Sequence, residues 1–105
     1  MFGKKNMQEM MGKLQQMKGA VDESKKRLEN IYVKGESDCK RIRFVLDGNR
    51  KVKDITIDDE LFSGDKQELI DLLAESFNNA IEDADHVNEN EMKNTAFNLF
   101  PDMGK

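Results

Sequence analysis

Apolar residues recur at Met7, Met10, Leu14, Met17, Val21, Leu28 and Ile31, an alternation of three and four that marks one face of a long helix. The gap in this seam is Ser24. The period then changes. Ile31 and Val33 alternate with polar neighbours up to Ser37, as in a half-buried strand, and Ser37-Asp38 supplies a turn. Ile42, Phe44 and Leu46 share one face of a second strand, while Arg41, Arg43 and Val45 share the other. Asp47-Gly48-Asn49 is a hairpin signal, because glycine and asparagine accept the positive φ of tight turns. Ile55 and Ile57 alternate in a third strand with Val52 out of phase, which predicts a bulge near Asp54. Asp65, followed by Glu68, is the expected cap of a second helix along which Leu69, Leu73, Phe77, Ala80, Ala84 and Val87 recur, supported by Leu72 and Ile81.

These patterns predict a single-domain α+β chain of order α-β-β-β-α. A long N-terminal helix spans 1–30, a three-stranded antiparallel meander 31–58, and a long second helix 65–90, whose apolar face covers the sheet. Residues 91–105 form a tail in which Phe97, Leu99, Phe100 and Met103 surround Pro101, apolar enough either to dock or to fray.

Composition adds a partner. With 36% charged and only 37% hydrophobic residues in a chain of 105, much of the burial is expected from long helices sharing a seam. A homodimer is therefore expected, with Met10, Leu14, Met17, Val21 and Leu28 as its dimer or core seam. The single cysteine, Cys39, permits no internal disulfide, in keeping with a reducing cytoplasm. No run is apolar enough for a membrane span, and Met1 to Met10 lacks the apolar centre of a signal peptide, so a cytoplasmic protein without membrane contact is expected.

The net charge of −4 hides a division along the chain. Residues 1–30 carry seven bases against four acids, residues 31–58 seven against five, and residues 59–105 three against twelve. Within the first helix the charges are also sorted by face. With Met7 at heptad position a, Lys13, Lys18, Lys25, Lys26 and Arg27 fall at e, f or g, whereas Glu9, Asp22, Glu23 and Glu29 fall at b or c. Extended backwards, the frame adds Lys4 and Lys5 to the positive flank and places Gly12 and Gly19 at f within it. Such a flank is commonly a solvated helix surface; its sharper meaning is a stripe facing a polyanion. Arg41 and Arg43, with Arg50, Lys51 and Lys53, offer a second basic surface, or simply the outward charges that keep a strand from aggregating.

Catalytic patterns are missing. His86 is the sole histidine, and Asp58, Asp59 and Glu60 suit a helix cap better than a cation site. Asp83, Asp85, Asn88 and Glu89 have the wrong spacing for a calcium loop, and no glycine pattern for nucleotides is present. The methionines belong to the seam as flexible filling. We expect no enzyme, no cofactor, no metal and no small-molecule substrate.

The order of elements and several stretches together resemble the YbaB/EbfC family of bacterial nucleoid-associated proteins. The resemblance lies in Met1-Phe2-Gly3-Lys4, Val33-Lys34-Gly35-Glu36-Ser37, Gly48, Ile55-Thr56-Ile57-Asp58, then Leu69, Leu72, Leu73 and Phe77-Asn78-Asn79-Ala80, covering nearly all of residues 1–87. It implies a small α+β homodimer, helices projecting like arms from a joined sheet, that binds duplex DNA in the nucleoid with little sequence preference. Where relatives can carry arginines after Asn79-Ala80, this chain has Ile81-Glu82-Asp83-Ala84-Asp85, so DNA contact is expected from the basic amino half. The expected contacts are Lys4, Lys5, Lys13, Lys18, Lys25, Lys26 and Arg27, with Arg41 and Arg43 secondary. The competing expectation is a dimeric protein-interaction module whose acidic second half has removed DNA binding.

Overall fold

A computed structural model describes the backbone of residues 2–99 and side chains from residue 6 onward. The chain measures 73 × 25 × 21 Å. Helix α1 spans Phe2–Glu29, strands β1, β2 and β3 span Tyr32–Glu36, Ile42–Asp47 and Val52–Ile57, a short 3-10 turn spans Asp59–Ser63, and helix α2 spans Lys66–Leu99. The strands form an antiparallel meander in the order β1-β2-β3, as the alternation predicted.

The inner face of the sheet carries Val33, Gly35, Ile42, Phe44, Leu46, Ile55 and Ile57, and α2 lies across its β1–β2 side. Ile42, Phe44, Leu46, Leu61, Ala80 and Ala84 form the buried core, with Leu69, Leu72, Leu73, Phe77 and Ile81 packed against it. Phe44 and Phe77 meet edge to face at 5.4 Å. The closest approach is at Gly35. A Cβ built there would lie 2.1 Å from the Ala80 nitrogen and 2.4 Å from the Ser76 oxygen. Buried Ser76, Ala80 and Ala84, four residues apart, give α2 the shallow face that this approach requires.

Lys53 is the unpaired residue in β3, since Val45 pairs with Asp54 and Leu46 with Val52. This is the bulge expected near Asp54, and it returns Val52 to the apolar face. The hairpin differs from expectation at one point. Positive φ occurs at Arg50 (φ 69), not at Gly48. Gly48 is needed instead because a Cβ there would sit 2.6 Å from Leu28 Cδ2. The turn is a three-residue loop closed by Asp47 N–H to the Lys51 carbonyl, with its last residue left-handed.

Helix α2 passes the expected end at 90 and runs to Leu99. The polar stretch Asn88 to Glu91 stays helical because it is anchored laterally. The Asn88 amide donates to the Gly48 carbonyl at 3.1 Å, and Glu91 accepts from Arg27 at 2.6 Å. One turn later Thr95 is buried against Ser24, the residue that interrupts the α1 seam. Asp65 caps α2 as expected, accepting from Gln67 N at 3.1 Å. The part of the expected tail at 100–105, with Phe100, Pro101 and Met103, lies outside the described residues.

Gly35→Ala should prevent α2 from seating on β1. Overpacking costs roughly 1–3 kcal/mol where side chains can yield, and here the obstacle is backbone, so we expect a loss of about 3 kcal/mol or more in urea denaturation. Gly12→Ala meets nothing within 4 Å. It should instead raise the helicity of α1 by circular dichroism, through the ~1 kcal/mol helix preference of alanine over glycine.

Candidate nucleic-acid interface

Helix α1 has 28 residues and is therefore about 42 Å long. Only its end is tied to the body. Leu28 and Ser24 are buried and Val21 half-buried, whereas Met10 is 63%, Leu14 60% and Met17 38% exposed. The polar lock at the crossing consists of Ser24 bonded to Thr95, Arg27 Nη2 donating to Ser24 Oγ at 3.0 Å, and the Arg27–Glu91 ion pair. Helix α2 runs antiparallel beside this end, and the earlier part of α1 projects as an arm on which Met7, Met10 and Leu14 are exposed.

The predicted bases fall into two groups. Lys13, Lys18, Lys25 and Lys26 are exposed and have no carboxylate partner among the described residues. Arg27 is engaged by Glu91 and serves the lock. The side chains of Lys4 and Lys5 lie outside the described residues. Arg41 and Arg43, taken together from the sequence, are separated in role. Arg41 is held by Asp58 at 3.3 Å, Glu60 at 3.4 Å and Glu68 at 3.7 Å. Arg43 lies half-buried on the outer sheet face between Glu36 and Thr56, beside an open hollow of about 250 Å³ shared with Lys40 and Arg41.

Asp58 links strand β3 to the 3-10 turn. Its carboxylate accepts from Glu60 N–H at 3.1 Å and from Arg41 at 3.3 Å, which lowers its pKa, chiefly through the backbone bond and then through Arg41. The guanidinium is correspondingly held charged, first by the hydrogen bond to Asp58.

A groove of about 430 Å³ opens at the foot of the arm, where α1, the β2–β3 hairpin and α2 meet. Lys25, Arg50, Lys51, Asn49 and Asn88 line it with Glu29 and Met92. Asn49 braces the hairpin to α1 by donating to the Lys25 carbonyl at 2.9 Å, and Arg50 pairs with Asp85 of α2. Sequence reasoning placed Arg50, Lys51 and Lys53 on one strand surface. The bulge separates them, sending Lys53 to within 3.7 Å of buried Asp47. Among the described residues no group of His, Cys, Asp and Glu is placed to hold a metal ion, and no helix is long and apolar enough to cross a membrane.

A helix–meander–helix body with a basic, projecting helical arm defines an α+β architecture whose most distinctive surface is a sorted line of cations. The sequence pattern of the YbaB/EbfC DNA-binding family matches residues 3–99, and the chain belongs to that family. It is 40% identical over 83 residues to a nucleoid-associated protein of Flavobacterium johnsoniae, covering 79% of this chain and 77% of that one. The fold is similar to the crystal structure of an uncharacterized protein from Helicobacter pylori, with a TM-score of 0.67 at 24% identity, covering 87% of this chain and 92% of the other.

The lowered Asp58 pKa sets a pH dependence. Because the native value lies below the ordinary 3.8, the interaction stabilises the fold above that pH and is lost as pH falls through the native value. Asp58→Asn should therefore show a shallower acid limb than the parent chain when urea midpoints are compared from about pH 6 down to about pH 2.

Proposed function

We propose that this protein acts in the bacterial nucleoid as a homodimer that binds duplex DNA with little sequence preference, through phosphate contacts from α1. The observation that carries this reading is the arm itself. Lys13, Lys18, Lys25 and Lys26 project on one flank with no intramolecular carboxylate partner among the described residues, ready to replace counterions on a phosphate backbone. Family membership and the name of the Flavobacterium relative support the same partner. Helix α1, about 42 Å long, is comparable with the roughly 34 Å turn of B-DNA.

Dimerisation is supported by two open apolar surfaces. One is the arm stripe of Met7, Met10, Leu14 and Met17. The other is β3, an edge strand that α2 leaves uncovered, where Val52 is 45% and Ile55 47% exposed. Most helical stability in proteins comes from packing of an amphipathic face, so an arm with an exposed apolar stripe favours a second chain.

A second reading, a dimeric protein-interaction module without DNA binding, draws on α2, whose exposed Glu82, Asp83 and Glu89 repel phosphate. Fluorescence-anisotropy titrations with two unrelated duplexes, with light scattering for oligomeric state, separate the readings. We expect a dimer, equal affinity for both duplexes, competition by heparin and a steep loss of binding with salt. The triple variant Lys13→Gln, Lys18→Gln, Lys26→Gln should reduce the salt slope by about 0.9 for each phosphate contact removed. A folded dimer that ignores both DNA and heparin at low salt would establish the second reading.

A further inference from the structure

We propose that the groove at the foot of the arm holds a backbone phosphate of the same duplex, making the β2–β3 hairpin a second contact element. This rests on the arm being a duplex-binding element, and it goes further by assigning a site that the β2–β3 hairpin shares with the end of α1. Three cations line the groove, Lys25, Arg50 and Lys51, against one lining carboxylate, Glu29, in a chain of net charge −4. Lys25 and Lys51 form no ion pair among the described residues, and Arg50 meets Asp85 through Nε, leaving its Nη atoms without a hydrogen bond there.

The site is built rather than incidental. Asn49 ties the hairpin to α1 through the Lys25 carbonyl at 2.9 Å, and Asn88 ties α2 to the hairpin through the Gly48 carbonyl at 3.1 Å. Arg50 holds φ 69, in the region that favours glycine or asparagine, and this sets its side chain between Asp85 and the groove. Three elements thus fix the backbone that carries these cations before any ligand arrives.

Position and chemistry select the ligand. Lys18 and Lys25 are seven residues apart, two helical turns or about 10.5 Å on one face, so the arm's basic line runs into the groove. No aromatic residue lines the groove, and a nucleobase has no stacking surface there. The backbone of a duplex lying along the arm is the group that fits.

The decisive variant is Lys51→Gln in the full chain, titrated against two unrelated duplexes across a salt series. The Lys51 side chain makes no bond that holds the turn, to which Lys51 contributes its main-chain N–H, donating to Asp47 Oδ1 at 3.0 Å, so the fold should survive and circular dichroism will show it. We expect weaker binding to both duplexes and a salt slope smaller by about 0.9, with Lys51→Arg retaining the parent slope. Lys66→Gln, the same charge change at the opposite end of α2, about 33 Å along the helix from Asn88, should leave the slope unchanged. A Lys51→Gln slope equal to the parent's, or an equal loss in Lys66→Gln, overturns the groove while leaving the arm's role standing. A parent chain that binds neither duplex at low salt overturns both.

Discussion

The seating of α2 on the backbone of Gly35 constrains everything else in this molecule. With no side chain at that position, and with Ser76, Ala80 and Ala84 facing it, the helix approaches β1 closely enough that any Cβ would collide with its main chain. Ser76 does not leave its hydroxyl unpaired there, since the Leu72 and Leu73 carbonyls lie within 2.8 and 3.1 Å. A helix fixed this near β1 cannot also cover β3. It reaches β2 through Phe77 and Phe44, and leaves the edge strand with its apolar residues open. Its direction across the sheet then carries Asn88, Glu91 and Thr95 to the hairpin and to the end of α1.

The acids of α2 acquire a structural meaning from that placement. Glu68 faces Arg41, Asp85 faces Arg50 and Glu91 faces Arg27, while Glu75 accepts from Asp38 N–H at 2.6 Å. The division of charge along the sequence thus becomes a set of pairings between its halves. Such exposed pairs contribute little to stability one by one. Their larger effect is selective, because they occupy Arg27, Arg41 and Arg50 and leave the lysines of the arm free.

The helix–meander–helix order was legible because each element repeats its own period, 3.6 in the helices and 2 in the strands. The bulge was legible for the same reason, as a single residue out of phase at Val52. What the sequence concealed depends on contacts between distant segments. Ser24 looks like a defect in a seam until Thr95, 71 residues away, meets it. The stretch from Asn88 to Glu91 looks too polar to continue a helix until Gly48 and Arg27 receive it. Asp58 to Gly64 looks like a loop, yet the Asp58 cap and buried Leu61 make a 3-10 turn of it. In the candidate site, the basic flank of α1 could be read from heptad positions. Its division into free lysines and an engaged Arg27 could not, since Arg27 and Lys26 are adjacent and α2 presents Glu91 to Arg27 alone.

Net charge is therefore a poor guide to how this molecule meets a polyanion. At physiological ionic strength, charges farther than about 8 Å are largely screened, and the potential at any point is set by its immediate neighbours. The acids at the start of α2 lie tens of ångströms from the foot of the arm, and of those near it Asp85 and Glu91 are bonded to arginine. Lys18, Lys25 and Lys26 are thus exposed and without a carboxylate partner among the described residues of a chain whose total is −4. For the proposed duplex, the remaining exposed acids of α2 would restrict the face of approach. In the proposed complex, repulsion along α2 and attraction along α1 would together orient the duplex on the protein.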